Sequence, residues 1–179
     1  MRKMILDIGC GFDKREGAIG IDRIAGCSAD VLGDVARELP FRDNAFDTVY
    51  CMDVLEHLPD VISAMEEIWR ICKPGADVFI VAPGMSSANL HNDPTHIRAF
   101  TSRSFDYFVE GEKLFKYGYS HARFEKISVV YDKESRRERR FYDRWMAQLA
   151  TRKPMFYETR LAFIYPLADI SFHLKVKKG

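Results

Sequence analysis

The chain has 179 residues, 47% of them hydrophobic and 30% charged, the balance of one soluble globular domain with a real core. A net charge of +1 gives no global pull toward nucleic acid or an anionic membrane. Four dispersed cysteines, Cys10, Cys27, Cys51 and Cys72, with no Cys-x-x-Cys pair, argue against a disulfide framework or a zinc site and for a reduced, cytoplasmic protein.

"MRKMILDIGC" turns polar and glycine-rich too early for a signal peptide, and no apolar run is long enough for a transmembrane segment. "KMILDI" reads as the first buried strand, "AIGID" as the second, "SADVL" as a weaker third and "FDTVYCMDV" as the fourth. "DVISAMEEIWRICK" places Ile62, Met65, Ile68, Trp69 and Cys72 at helical spacing, and "KPG" stops that helix. "ADVFIVAP" is the fifth strand. Strands alternating with helices imply a parallel sheet covered on both faces. "TSRSFDYF" reads as a short capped helix. Near the end, "FEKISVVYD" and "ADISFHLKVKK" read as two more strands, separated by residues 133–166, within which "ESRRERRFYDRWMAQLA" reads as a basic helix. There is no repeat or linker, so residues 1–179 are taken as one domain, with 133–166 as an inserted, lid-like segment.

Gly9 and Gly11 follow the first strand, where a backbone without side chains admits a ligand closely. A dinucleotide fingerprint needs a third glycine where Lys14 stands, and an acid about 20 residues on. Asp22 comes only eleven residues after Gly11, and no Gly-Lys-Ser/Thr is present. Nothing here is built for a pyrophosphate, which leaves a nicotinamide oxidoreductase as a distant third reading.

The order "LDIGCG", Asp22, "GDVARELPFRDNAFDTVYCMDVLEHLPD", "EEIWRICKPGADVFIVAP" resembles the class I S-adenosylmethionine-dependent methyltransferases over residues 4–110, closest to the methyltransferase type 11 group. The resemblance implies a Rossmann-like, doubly wound α/β fold: a mostly parallel seven-stranded sheet closed by a C-terminal antiparallel hairpin. It implies S-adenosyl-L-methionine as cofactor, with Gly9 and Gly11 along its methionine half and Asp7 orienting the methionine ammonium. Asp22 is expected on both ribose hydroxyls, since a carboxylate accepts two parallel bonds. Asp34 is expected on the adenine amino group, with Cys51 and Met52 near the sulfonium. Asp22 and Asp34 also fit ordinary strand-end or cap positions, and Glu56 a residue that braces its loop.

Two departures stand out. Only "FDKRE" separates Gly11 from Gly17, too short for a full crossover helix, and the chain enters the first strand at once. The pocket is expected to be open, with its cover supplied from elsewhere. One source is Gly84–Phe108, whose "DPTH-x-R-x-F" resembles a loop of methyltransferases that look like enzymes of glycan assembly. His96 is the first candidate for a general base and His57 the second, because histidine takes a proton near neutral pH. His91 and Arg98 are candidates for the substrate, Arg98 for an anionic one. A zinc reading needs His91, Asp93 and His96 to converge, and a solvated turn at Asp93-Pro94 is the simpler reading, so no metal is assigned. The second source is residues 133–166, where interleaved Glu134, Glu138 and Asp143 point to a solvated, ion-paired face rather than nucleic-acid binding. "RLAFIYPL" fits a lid, a homodimer surface or an interfacial segment. The expected activity is methyl transfer to an oxygen or nitrogen of a small-molecule or glycan-type acceptor. The alternative is a catalytically inactive, S-adenosylmethionine-binding regulatory module.

Overall fold

Each apolar run anticipated as a strand forms one in the computed structural model, which describes residues 3–132 and 141–179. The strands are β1 (Ile5–Ile8), β2 (Ile19–Asp22), β3 (Val31–Leu32), β4 (Phe46–Met52), β5 (Cys72–Pro83), β6 (Phe124–Tyr131) and β7 (Asp169–Val176). They make one sheet in the order β3-β2-β1-β4-β5-β7-β6. β1 to β5 pair in parallel, while β7 runs antiparallel between β5 and β6. This is the Rossmann-like, mostly parallel sheet with an antiparallel C-terminal hairpin.

Helix α1 (Val61–Ile71) joins β4 to β5. Asp60 caps it by accepting from the Ser63 N–H at 3.0 Å and the Ser63 hydroxyl at 2.7 Å. The helix buries Ala64, Met65, Ile68 and Ile71. Cys72, read from its spacing as the last helical position, is instead the first residue of β5. The segment 101–108 is a turn, with the Ser104 hydroxyl accepting from the Thr101 N–H, followed by a single 3₁₀ turn at Asp106–Phe108. The inserted segment contributes α3 (Phe141–Arg152), the short α4 (Pro154–Phe156) and a π-helical turn at Tyr157–Leu161. The part of the expected basic helix at 133–140 lies outside the described residues.

The sheet has two unlike faces. Strand register aligns Leu6 with Val49, Val78 with both Val49 and Leu174, and Cys51 with Ile80, which pairs in turn with Phe172. All seven are buried and share one core with the apolar side of α1 and with Ala147 and Ala150 of α3. Full burial of each such aliphatic side chain contributes about 1.5–3 kcal/mol. The opposite face carries Asp7, Tyr50, Met52, Asp77, Phe79, His173 and Lys175. Tyr50, Phe79 and His173 are only half-buried and stack in a row, with ring centroids 5.1 Å and 4.4 Å apart. The expectation of cover on both faces therefore needs correction: among the described residues no helix joins β1 to β2, β2 to β3 or β3 to β4.

The reason lies in the clipped first crossover. Lys14 lies over β2, where a Cβ on Gly20 would sit 2.6 Å from its Cδ, and its ammonium binds Asp30 at 2.8 Å. The Arg15 guanidinium lies 4.0 Å above the Tyr50 ring. Two long side chains stand where a crossover helix would pack.

Candidate functional site

The sheet order reverses between β1 and β4, which run side by side while their connections leave in opposite directions. Ligands in such sheets bind beyond the carboxyl ends of the strands at that point. Gly9, just past β1, has φ of +68°, and a Cβ there would lie 2.2 Å from Cγ2 of Val54. Glycine is thus needed both for the left-handed turn and for the close approach of the chain after β4. Gly11, at φ +51°, meets nothing within 4 Å.

Two cavities open here, and Gly9 and Asp53 wall both. The larger, about 1050 Å³, is lined by Asp7, Met52, Asn89, His96 and Asp169 among others. The smaller, about 320 Å³, is lined by Asp22, Asp34, Val35, Val54 and His57. Asp7 accepts the Arg15 N–H at 2.8 Å. Asp22 accepts the Gly11 N–H on Oδ2 and the Ile24 N–H on Oδ1, both at 2.9 Å, so it ties the two turns flanking the smaller cavity. Each oxygen keeps further accepting capacity. Asp34 holds a tight turn by accepting the Ala36 N–H at 2.9 Å.

The structure thus brings Asp7, Gly9, Asp22, Asp34, Met52, His57 and His96 to two adjoining cavities. Gly11 is held against Asp22 by its N–H. Cys51 is placed differently: it is fully buried in the core, on the face opposite Met52. Side chains alternate along a strand, so two adjacent residues of β4 do not share one wall. Burial drives the Cys51 thiol pKa upward and that of Cys10 up to about 11. His91 is exposed on α2 (Asn89–Asn92). The Arg98 guanidinium donates to the Pro59 carbonyl at 2.8 Å, tying its loop to the turn after β4.

The histidines meet at a buried acid. The 3₁₀ turn Leu55–His57 leaves β4, and the Ile97 N–H donates to the Glu56 carbonyl at 3.0 Å, pulling the second loop onto it. The rings of His57 and His96 pack edge to face, 4.6 Å between centroids. His96 Nε2 lies 3.9 Å from Glu56 Oε1 and 4.0 Å from Asp93 Oδ2. Glu56 is completely buried, and neither side-chain oxygen has a hydrogen-bond partner. Desolvation pushes its carboxyl pKa up to about 8. Hydrogen bonds from Thr95 hold the exposed Asp93 below the usual carboxylate range.

Sequence reasoning did not single out Asp53, Asn89 or Asp169 as cavity walls. Asp53 carries a faint signal, because aspartate tolerates the left-handed conformation it adopts, φ 54°. Asn89 and Asp169 are 80 residues apart and within 3.4 Å only through the β5–β7 pairing.

Comparison with known proteins agrees with this geometry. Residues 9–80 match the family described as a methyltransferase domain. A ubiquinone biosynthesis O-methyltransferase from Hahella chejuensis is 33% identical over 99 residues, covering 43% of this chain and 42% of that enzyme. The chain thus matches less than half the length of that relative. The YcgJ protein of Bacillus subtilis superimposes with a TM-score of 0.60 at 17% identity, covering 99% of this chain and 93% of that one. The Haemonchus contortus phosphoethanolamine N-methyltransferase 2, solved with phosphomonomethylethanolamine and S-adenosylhomocysteine, gives a TM-score of 0.58 at 18% identity, covering all of this chain and half of that one. Residues 9–80 thus match a methyltransferase domain, and the whole chain shares the fold of solved proteins that include an S-adenosylmethionine-dependent methyltransferase from Archaeoglobus fulgidus.

Proposed function

We propose that the protein binds S-adenosyl-L-methionine across the two cavities and transfers its methyl group to an oxygen or nitrogen of a small-molecule or glycan-type acceptor. The observation that carries this reading is the pair of cavities joined at Gly9 and Asp53, with Asp22 and Asp34 in one and Asp7, Met52 and His96 in the other. The adenosine belongs in the smaller cavity, its ribose diol on Asp22 and its adenine amino group near Asp34. The methionine half follows Gly9, with its ammonium toward Asp7 and its sulfonium toward Met52.

The acceptor then enters the larger cavity from the His96 side. Its lone pair attacks the methyl carbon in line, the sulfur–carbon bond breaks, and the sulfonium becomes a neutral thioether. Such a transfer depends chiefly on alignment, with one group to take the acceptor's proton. His96 is our candidate for that group and His57 the second. Support for the cofactor comes from the S-adenosylhomocysteine held by the Haemonchus enzyme. The Hahella and Haemonchus relatives, an O- and an N-methyltransferase by name, favour oxygen or nitrogen as the acceptor atom. The "DPTH-x-R-x-F" loop supports a glycan-type acceptor. Residues 133–166, which end three residues before the cavity wall at Asp169, are proposed as the cover.

The test is calorimetry with S-adenosylhomocysteine and NAD, followed by methyl-transfer assays on a panel of acceptors. We expect S-adenosylhomocysteine to bind and NAD not to. His96→Ala should retain the cofactor and lose about 10²-fold or more in turnover. Tight NAD binding, or no binding of either S-adenosyl compound, sinks the reading. Binding without turnover on any acceptor favours the regulatory module.

A further inference from the structure

Glu56 poses a problem that the methyl-transfer reading leaves unsolved. An ionised carboxylate taken wholly out of water costs several kcal/mol unless it is paired, and native proteins satisfy nearly all buried polar groups. Glu56 is 0% exposed, yet both of its oxygens lack a hydrogen-bond partner. Nδ1 of His96, next to it, is also buried and without a partner. Two orphaned carboxylate oxygens therefore lie beside His96, whose Nε2 is 3.9 Å from Glu56 Oε1, and a third residue able to ligate, His57, packs against that ring.

We propose that Glu56, His57 and His96 form a binding site for a divalent transition cation. One donor atom from each of the three lies within 4.8 Å of the others. Donors about 2.0–2.2 Å from a zinc ion sit roughly 3.5 Å apart, so small side-chain rotations close the site. Two imidazoles with one carboxylate is a donor set used in catalytic zinc sites, which keep a further position open. Imidazole selects zinc and its transition-metal neighbours over magnesium or calcium.

The surroundings fit a ligand sphere. Thr95 Oγ1 donates its only proton to Asp93 Oδ1 at 2.7 Å, so at 2.9 Å from His57 Nδ1 it must accept. That places the proton of neutral His57 on Nδ1 and the lone pair on Nε2. A carboxylate acting through a hydroxyl thus fixes the imidazole tautomer, as outer partners of metal ligands do. The Ile97–Glu56 and Arg98–Pro59 bonds hold the two ligand-bearing loops together. His96 lines the larger cavity and His57 the smaller, so the site lies where the two cavities adjoin. On the methyl-transfer reading, an ion held there would make an acceptor hydroxyl acidic enough to lose its proton to solvent, and His96 would then serve as a ligand in place of the general base proposed above. Only this use of the site rests on that reading; the site itself does not.

The experiment is zinc uptake by the chelator-stripped, cofactor-free protein, by equilibrium dialysis with metal analysis. One zinc per chain is expected, with magnesium far weaker. Glu56→Gln and His96→Ala should each abolish uptake, and Thr95→Ala should weaken it about 10- to 100-fold. Cobalt substituted into the native protein should give visible absorption bands that Glu56→Gln removes, and the melting temperature of each variant monitors folding. The exposed His91 and His121 are the control: their alanine variants should leave uptake unchanged. No uptake by the native protein with zinc in excess, or uptake insensitive to Glu56→Gln and His96→Ala, overturns the proposal. S-adenosylhomocysteine binding, measured separately, reports on the methyl-transfer reading whichever way zinc behaves.

Discussion

Replacing Asp22 by alanine removes a group with one job that the structure shows and a second that we propose, and two measurements separate them. The carboxylate is 8% exposed and accepts the Gly11 and Ile24 N–H groups, each at 2.9 Å. A hydrogen bond to a charged group contributes about 1.5–3 kcal/mol. Water entering the space left by the carboxylate rebonds one of the two N–H groups, so the net stability loss is that of one such bond. For a chain of this length it lowers the melting temperature by about 3–12 °C.

On the proposed binding mode, the second loss is the pair of bonds that Asp22 would accept from the ribose hydroxyls. Valued as one charged bond, it weakens S-adenosylhomocysteine binding about 10- to 150-fold. Calorimetry at a temperature where both proteins are folded measures affinity, and a thermal melt without ligand measures stability. Asp22→Asn sharpens the contrast. The amide retains one acceptor for the Gly11 N–H but cannot accept from both hydroxyls, so affinity should fall more than stability. Unchanged affinity beside a lower melting temperature refutes the ribose assignment and leaves Asp22 as the tie between two turns.

Gly9→Ala should destabilise the fold by about 1–3 kcal/mol or more, since it combines a left-handed residue with an overlap on Val54; Gly11→Ala, which is left-handed in open space, should cost less, roughly 1–2 kcal/mol. Val54→Ala should recover part of the Gly9→Ala loss in urea melts and none of the Gly11→Ala loss. Among the cysteines, Cys10, Cys51 and Cys72 are buried and Cys27 half-exposed, so a thiol reagent should titrate one group in the native protein and four after unfolding. Burial also raises Cys10 to about 11 and Cys72 to about 12. In the unfolded chain these thiols lose their protons near pH 8.5, whereas the folded chain holds them. Their contribution is therefore complete below about pH 8.5 and declines as pH rises toward 11. The urea midpoint should fall over that range, and Cys72→Ala should flatten the fall.

Much of this architecture is legible from residues alone, and the misreadings have definite causes. In β7, Ile170, Phe172, Leu174 and Val176 alternate with Asp169, Ser171, His173 and Lys175, which is the signature of a strand buried on one side. β4 and β5 hide the same alternation, because Tyr50 and Phe79 count as apolar while standing half-buried on the open face. The buried acid is hidden for another reason. Glu56 and His96 are 40 residues apart and meet only because the loop after β5 folds back onto the turn after β4, a long-range contact that no local spacing encodes. The clipped crossover links these observations. Having no room for a helix, "FDKRE" sends Lys14 to Asp30 and Arg15 over Tyr50, while the Arg15 N–H binds Asp7. Asp13, Lys14, Arg15 and Glu16 thereby become a wall of the larger cavity. The methionine end of the cofactor would then face charged side chains on an open rim, and its zwitterionic head is the part of the molecule that such a rim suits.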